Sequence, residues 1–160
     1  MSDWRKRPRV GVIGGNSPEE RHLDMARKVG ALIARAGAIL VCGGLGGVMA
    51  AAASAARKEG GLTVGILPGS TPDDANPYID IPIATGMGYS RNALVAMNAD
   101  VLIAIDGEYG TLTEIAYGKI YGKRVIGLDT WEVKGVIKAS SPEEAVALAL
   151  QKEKNKGALR

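Results

Sequence analysis

Residues 100 to 114 read Asp-Val-Leu-Ile-Ala-Ile-Asp-Gly-Glu-Tyr-Gly-Thr-Leu-Thr-Glu, an apolar run that passes through a glycine-rich turn into a helical pattern. A turn of this kind presents bare backbone N–H groups. Where a parallel strand ends and a helix begins, those donors and the positive end of the helix dipole form a natural seat for a phosphate or other anion. Gly107 and Gly110 allow close backbone approach, and Thr111 adds a hydroxyl. Glu114 follows one turn into the helix, either as an ordinary first-turn acid or as a carboxylate aimed back at whatever occupies the seat.

The same alternation extends in both directions. Val- and Ile-rich runs at 10–13, 38–42, 62–67, 78–84, 101–105 and 125–128 alternate with helical patterns, the signature of a parallel sheet covered on both faces. Ser17-Pro18-Glu19-Glu20 reads as an N-cap, a first-turn proline and a capping-box acid, with Leu23, Ala26, Val29, Leu32, Ile33 and Ala36 as the inward stripe and Gly37 as the stop. The run Gly43-Gly44-Leu45-Gly46-Gly47 precedes an alanine-rich helix at 48–56 whose first turn holds no acid, so its N-terminal donors are free for an anionic ligand. Gly86-Met87-Gly88 precedes a helix from about Ser90 to Asn98. A small element at 133–138 and a last helix at 141–151 close the chain. These features predict a single α/β domain over residues 1–151: a three-layer, doubly wound, mostly parallel Rossmann-like sheet with strand order 3-2-1-4-5-6, followed by a charged tail at 152–160. The ligand crevice then lies over the carboxyl ends of strands one, four and five, where Gly14-Gly15, Gly86 to Arg91 and Asp106 to Glu114 converge beside Gly43 to Gly47.

Composition narrows the functional classes. The net charge of +3 belongs to the ends, because residues 10–151 hold 12 Lys and Arg against 15 Asp and Glu. Arg5, Lys6, Arg7 and Arg9 lead the chain and Lys152, Lys154, Lys156 and Arg160 close it, a pattern expected of solvated, frayed termini rather than a nucleic-acid surface. Aromatic residues are 4% with no Phe, which disfavours base stacking on single strands. Cys42 is the lone cysteine, so no intramolecular disulfide forms. With no signal-peptide pattern and no long apolar run, the chain reads as cytoplasmic, without membrane or nucleic-acid partners.

Neither Gly-x-Gly-x-x-Gly after the first strand nor a P-loop is present, which argues against an ordinary NAD enzyme or NTPase. His22 is the single histidine and sits in a charged stretch of helix, so metal chemistry and a Ser-His-Asp arrangement lack support. Asp106 and Glu108 read as solvated turn acids, or as ligands for Mg²⁺ beside a phosphate. Arg91 is a cation in a first helical turn, where it opposes the dipole; it meets an anion that is either internal, Glu114 or Asp106, or a bound ligand.

These residues resemble the LOG-like proteins, long mislabelled as lysine decarboxylases. Gly43-Gly44 with Gly47-Val48-Met49-Ala50 is similar to the family's glycine run, and Asp106 to Glu114 is similar to its Pro-Gly-Gly-x-Gly-Thr-x-x-Glu. The short single-domain branch that includes molybdenum cofactor carriers resembles the chain from Val10 to about Trp131, notably in Gly65 to Gly69, Ala75 to Tyr78, Thr85 to Gly88, Ser90-Arg91-Asn92 and Val125 to Trp131. The resemblance implies Arg91 and Glu114 as catalytic residues. It implies Gly14, Gly15, Gly43, Gly44, Gly46, Gly47, Gly86, Gly88, Asn92, Gly107, Gly110 and Thr111 as the ligand and phosphate site. The implied functions are binding of a phosphorylated nucleotide or a pterin-type ligand such as the molybdenum cofactor, or release of base and ribose 5-phosphate from a nucleoside 5′-monophosphate. Lysine decarboxylation is not implied, and the expected assembly is a homo-oligomer, dimer or tetramer. The chain departs from the family at Asp106 and Glu108, which add two negative charges beside the phosphate seat, and at Asn92, where LOG enzymes carry lysine.

Overall fold

The computed structural model describes residues 3–152, so Lys154, Lys156 and Arg160 of the charged tail lie outside the described residues. Seven parallel strands form one sheet: β1 (Arg9–Gly14), β2 (Ile39–Cys42), β3 (Leu62–Leu67), β4 (Ile81–Ala84), β5 (Val101–Ile105), β6 (Arg124–Leu128) and β7 (Ile137–Lys138). The helices are α1 (Glu20–Arg35), α2 (Val48–Lys58), α3 (Asn92–Asn98), α4 (Tyr109–Ile120) and α5 (Pro142–Leu150).

Alternation along the strands builds two cores. On β5, Val101, Ile103 and Ile105 join Ala26, Val29 and Ile33 of α1, Ala52 of α2 and Ala145 of α5 on one face. Leu102 and Ala104 face the other way, against Val95 and Ala96 of α3 and Ile115 of α4. The fold class is therefore the expected three-layer α/β sandwich. Its densest helix contact is at Gly30, where an added Cβ would stand 2.0 Å from the backbone oxygen of Ala52.

The strand order is β4-β3-β2-β1-β5-β6-β7, which corrects the expected placement of the fourth strand between the first and fifth. Pro82 interrupts β4 and cannot donate to a ladder, so the strand belongs at an edge, where Ile81 and Ile83 are exposed. The fully buried β5 takes the central place beside β1. Strand order consequently reverses between β1 and β5, which puts the crevice over the carboxyl ends of these two strands.

Local boundaries differ for physical reasons as well. Helix α1 starts at Glu20 with Glu19 as an N-cap that lacks a side-chain bond, not at Ser17-Pro18. Residues Gly88–Arg91 form a 3-10 turn, so Arg91 is the N-cap of α3 rather than a residue inside its first turn. The leader is not frayed at Arg7 and Arg9: Arg7 Nε donates to Gly37 O at 2.7 Å, and Arg9 forks onto Asp100.

Candidate ligand crevice at the strand ends

Three turns meet over the carboxyl ends of β1, β2 and β5. Gly14 has no room for a side chain, since a Cβ would stand 2.5 Å from Ile105 O and 2.7 Å from Val48 Cγ1. Gly15 O accepts from Val48 N at 3.0 Å, which ties the β1 turn to the start of α2. At Gly47 the backbone has φ +59, and a Cβ there would lie 2.2 Å from Gly15 O; only glycine lets these turns touch. The third turn closes in from β5, with Gly107 Cα 3.7 Å from the space a Gly15 side chain would fill. The result is a continuous rim of backbone drawn from Gly15, Gly46, Gly47 and Gly107.

Helix starts supply the donors along this rim. Neither α2 nor α4 has a side-chain cap or an acid in its first turn, whereas α1 carries Glu20 and α5 carries Glu143 and Glu144. The first N–H groups of a helix have no intrahelical acceptor; Val48 N is spent on Gly15 O, and the remaining first-turn donors of α2 and those of α4 are available to a guest. Thr111 and Gly110 lie in the first turn of α4, Thr111 buried and Gly110 half-buried.

The Gly86 turn does not join the rim. Gly86 N donates to Gly69 O, Met87 N to Thr85 Oγ1 and Gly88 N to Pro68 O, so its donors are spent on the loop after β3. What this segment delivers instead is Arg91, which turns inward and is 5% exposed. Arg91 Nε donates to Ile66 O at 2.7 Å and Nη2 to Gly43 O at 3.2 Å, joining the ends of β3 and β2. Its Nη1 donates to Asn92 Oδ1 and lies 3.9 Å from Glu114 Oε1. Asn92 Nδ2 in turn reaches Thr113 Oγ1 at 3.0 Å and Gly110 O at 3.3 Å. Gly43 makes room for this guanidinium, since a Cβ there would sit 2.6 Å from Nη2. Gly44 is held in a left-handed conformation at φ +77, with its N–H on Cys42 Sγ.

Burial dominates the electrostatics of this floor. Glu114 is 7% exposed, and loss of solvation pushes its carboxyl up to about 8, against the opposing pull of Arg91. Burial likewise lowers Arg91, with Glu114 acting the other way, although a guanidinium stays charged. Cys42, also buried, is pushed up to about 12 and is inert as a nucleophile. Of the two partners the sequence allowed for Arg91, the protein supplies Glu114 and not Asp106.

Asp106 instead faces α1. It has φ +50 and Asp129 has φ +48, the two positive-φ residues other than glycine among those described. They follow Ile105 and Leu128, which pair across β5 and β6, so they occupy matching positions on adjacent strand ends. Between them sits His22, 3% exposed, with Nε2 2.7 Å from Asp129 Oδ2 and Nδ1 3.8 Å from Asp106 Oδ2. The sequence shows His22 in a charged stretch of helix and does not single out Asp129. The available signal was the repeated Asp directly after two Val- and Ile-rich runs. Thr130 Oγ1 donates to Asp106 O at 2.6 Å, and Trp131 Nε1 donates to Glu108 O at 3.1 Å, so the β6 turn braces the β5 turn. Glu108 itself is exposed, and no group of three or more His, Cys, Asp or Glu among the described residues is placed to hold a metal ion. A cavity of about 460 Å³ adjoins this brace, lined by Asp129, Thr130, Trp131, Val133 and Val136 among others. No helix among the described residues is long and apolar enough to cross a membrane.

Comparison with known proteins agrees with this architecture. Residues 7–157 match the SLOG cluster4 family. The structure of a molybdenum cofactor binding protein from Rippkaea orientalis is 36% identical and superposes with a TM-score of 0.85, over 89% of this chain and 95% of that one. The molybdenum cofactor carrier protein of Chlamydomonas reinhardtii is 33% identical with a TM-score of 0.81, over 89% and 96% of the two chains. A cytokinin riboside 5′-monophosphate phosphoribohydrolase of Mycobacterium tuberculosis is 35% identical over 140 residues, 81% of this chain and 72% of that protein.

Proposed function

Given that the chain belongs to the SLOG cluster4 family, we propose that it binds a phosphorylated nucleotide or a pterin-type cofactor such as the molybdenum cofactor, in the crevice over β1 and β5. The observation that carries this reading is the pair of uncapped, acid-free helix starts, α2 and α4, opening onto one glycine rim. A phosphate lies against the donors of Gly107 to Thr111 and Gly46 to Gly47. The neighbouring cavity, with Trp131 on its wall, has the volume that takes a ring system of nucleotide or pterin size. The protein acts as a carrier, in keeping with the likeness to the two molybdenum cofactor proteins, and we propose that it does so in the cytoplasm as a homo-oligomer.

The second reading is hydrolysis of a nucleoside 5′-monophosphate, favoured by the likeness to the mycobacterial enzyme and by the placement of Arg91 and Glu114 together. Carriage is preferred because stabilising positive charge on a ribose requires an ionised carboxylate that meets the substrate. Glu114 is 7% exposed and packed against Arg91, and burial pushes its carboxyl up, away from the ionised form.

Incubation of micromolar protein with AMP, CMP, GMP and UMP for hours, followed by chromatography for free base, separates the two. Carriage predicts no base above background. Release that falls about 10²-fold or more in Glu114→Gln overturns it and assigns the enzymatic reading.

A further inference from the structure

The orphaned nitrogen of His22 is the feature that the proposed function leaves unused. Nδ1 is buried and without a hydrogen-bond partner, and it faces Asp106 Oδ2 at 3.8 Å while Nε2 engages Asp129 at 2.7 Å. A neutral imidazole carries one N–H. With that proton on Nε2, Nδ1 turns a lone pair toward one carboxylate; with it on Nδ1, Nε2 meets the other carboxylate lone pair to lone pair. Only the imidazolium donates in both directions.

The charged groups facing His22 are Glu19 and Arg21 from the start of its own helix, Asp106 from the β5 turn and Asp129 from the β6 turn. Arg21 is already bonded to Glu19 at 2.8 Å and to Asp129 at 2.5 Å. That leaves His22 as the counter-charge for Asp106. Asp106 is fixed through its backbone, by Thr130 on its carbonyl and by its own N–H on Leu128 O, so only its side chain can move. Its Oδ2 stands 3.7 Å from the space beside Gly15, directly on the glycine rim.

We infer that His22 is a proton-bearing positioning residue for the anion seat: its imidazolium draws the Asp106 carboxylate away from the rim, so that an oxyanion and a proton bind together. The inference rests on reading the rim as an anion seat. Closing the 3.8 Å gap to a charge-assisted bond takes a shift of about 1 Å in the carboxylate. When His22 loses its proton, Nδ1 repels that carboxylate, which turns onto the rim and opposes the guest.

His22 is the only histidine, so ¹⁵N labelling of the ring gives one pair of nitrogen signals that reports its state directly. Sulfate is the suitable probe because it does not titrate in the working range. Adding sulfate at fixed pH is expected to raise the imidazolium fraction. Sulfate affinity, measured by calorimetry, is expected to be about tenfold weaker on the alkaline side of the His22 titration than on the acid side. Asp106→Asn, a residue that tolerates the left-handed backbone, should bind more tightly on the alkaline side, with the pH dependence reduced to about twofold. Titration of Glu114 occurs in both proteins and cancels in the comparison. A single neutral tautomer throughout, or the same pH dependence in Asp106→Asn as in the parent, overturns the inference. Sulfate binding that ignores pH overturns the linkage alone, whereas no sulfate binding at any pH overturns the anion seat and the linkage with it.

Discussion

The rim and the floor of the crevice are built in opposite ways. At the rim, Gly15, Gly47 and Gly107 contribute backbone without side chains, and the helix starts above them have no side-chain cap. On the floor, Arg91, Asn92 and Glu114 contribute buried side chains, and the guanidinium and the amide are already committed to protein acceptors. A guest therefore finds its polar partners in the main chain, while the residues a family resemblance marks as catalytic first hold the ends of β2, β3, α3 and α4 together. The difference shows that a functional role for Arg91 or Glu114 has to be separated experimentally from the structural one.

The sharpest way to break the contrast is Arg91→Ala. It strips the buried carbonyls of Gly43 and Ile66 and the Asn92 side-chain oxygen of their donor, at an expected cost of about 3–5 kcal/mol in denaturant unfolding. Arg91→Lys should recover less than half of this, because one ammonium cannot reproduce the fork. A loss below about 1 kcal/mol would mean that the floor is not a structural unit.

Gly107→Ala tests the rim. Its φ is +106, and the new Cβ would meet the Thr111 side chain at 2.3 to 2.6 Å, so a cost of about 2 kcal/mol is expected together with weaker sulfate binding. Unchanged binding at reduced stability would remove Gly107 from the seat.

A third test reads a slope, and its effect is smallest within any single pH unit. Glu114 is held at about 8 in the folded protein against an ordinary value of 4.5, so folding takes up a proton between those limits. Its contribution is fully present below about 4.5 and is lost as pH rises toward 8, at a steepest rate of roughly 1.4 kcal/mol per pH unit. Unfolding free energy measured at intervals across this window should fall in the parent and stay flat in Glu114→Gln. Parallel curves would show that Glu114 ionises freely and belongs with the open, guest-facing groups.

Much of this contrast was legible in the chain. Strand, glycine turn and acid-free helix start are local patterns, and the sequence around Gly43 to Gly47 and Gly107 to Thr111 contains them whole. Arg91 was noticeable because a cation at a helix start runs against the dipole. The misplaced fourth strand shows where locality ends: the run at 78–84 is apolar enough for a strand, and only the missing N–H of Pro82 and its exposed neighbours send it to the edge. The His22 pair was less legible still. It depends on β5 and β6 aligning Ile105 with Leu128 and on α1 lying across both turns, relations that no sequence window contains.

The two outer strands also limit how copies of this chain can meet. β4 is four residues long with Pro82 inside it, and β7 is two residues long. Neither offers the long, flat row of unpaired backbone groups that lets one sheet template another. Cross-β aggregation and sheet continuation between copies are thereby disfavoured from both directions. Any contact between copies would be left to the helical layers, where Tyr109 and Ile120 stand 77% and 71% exposed on α4.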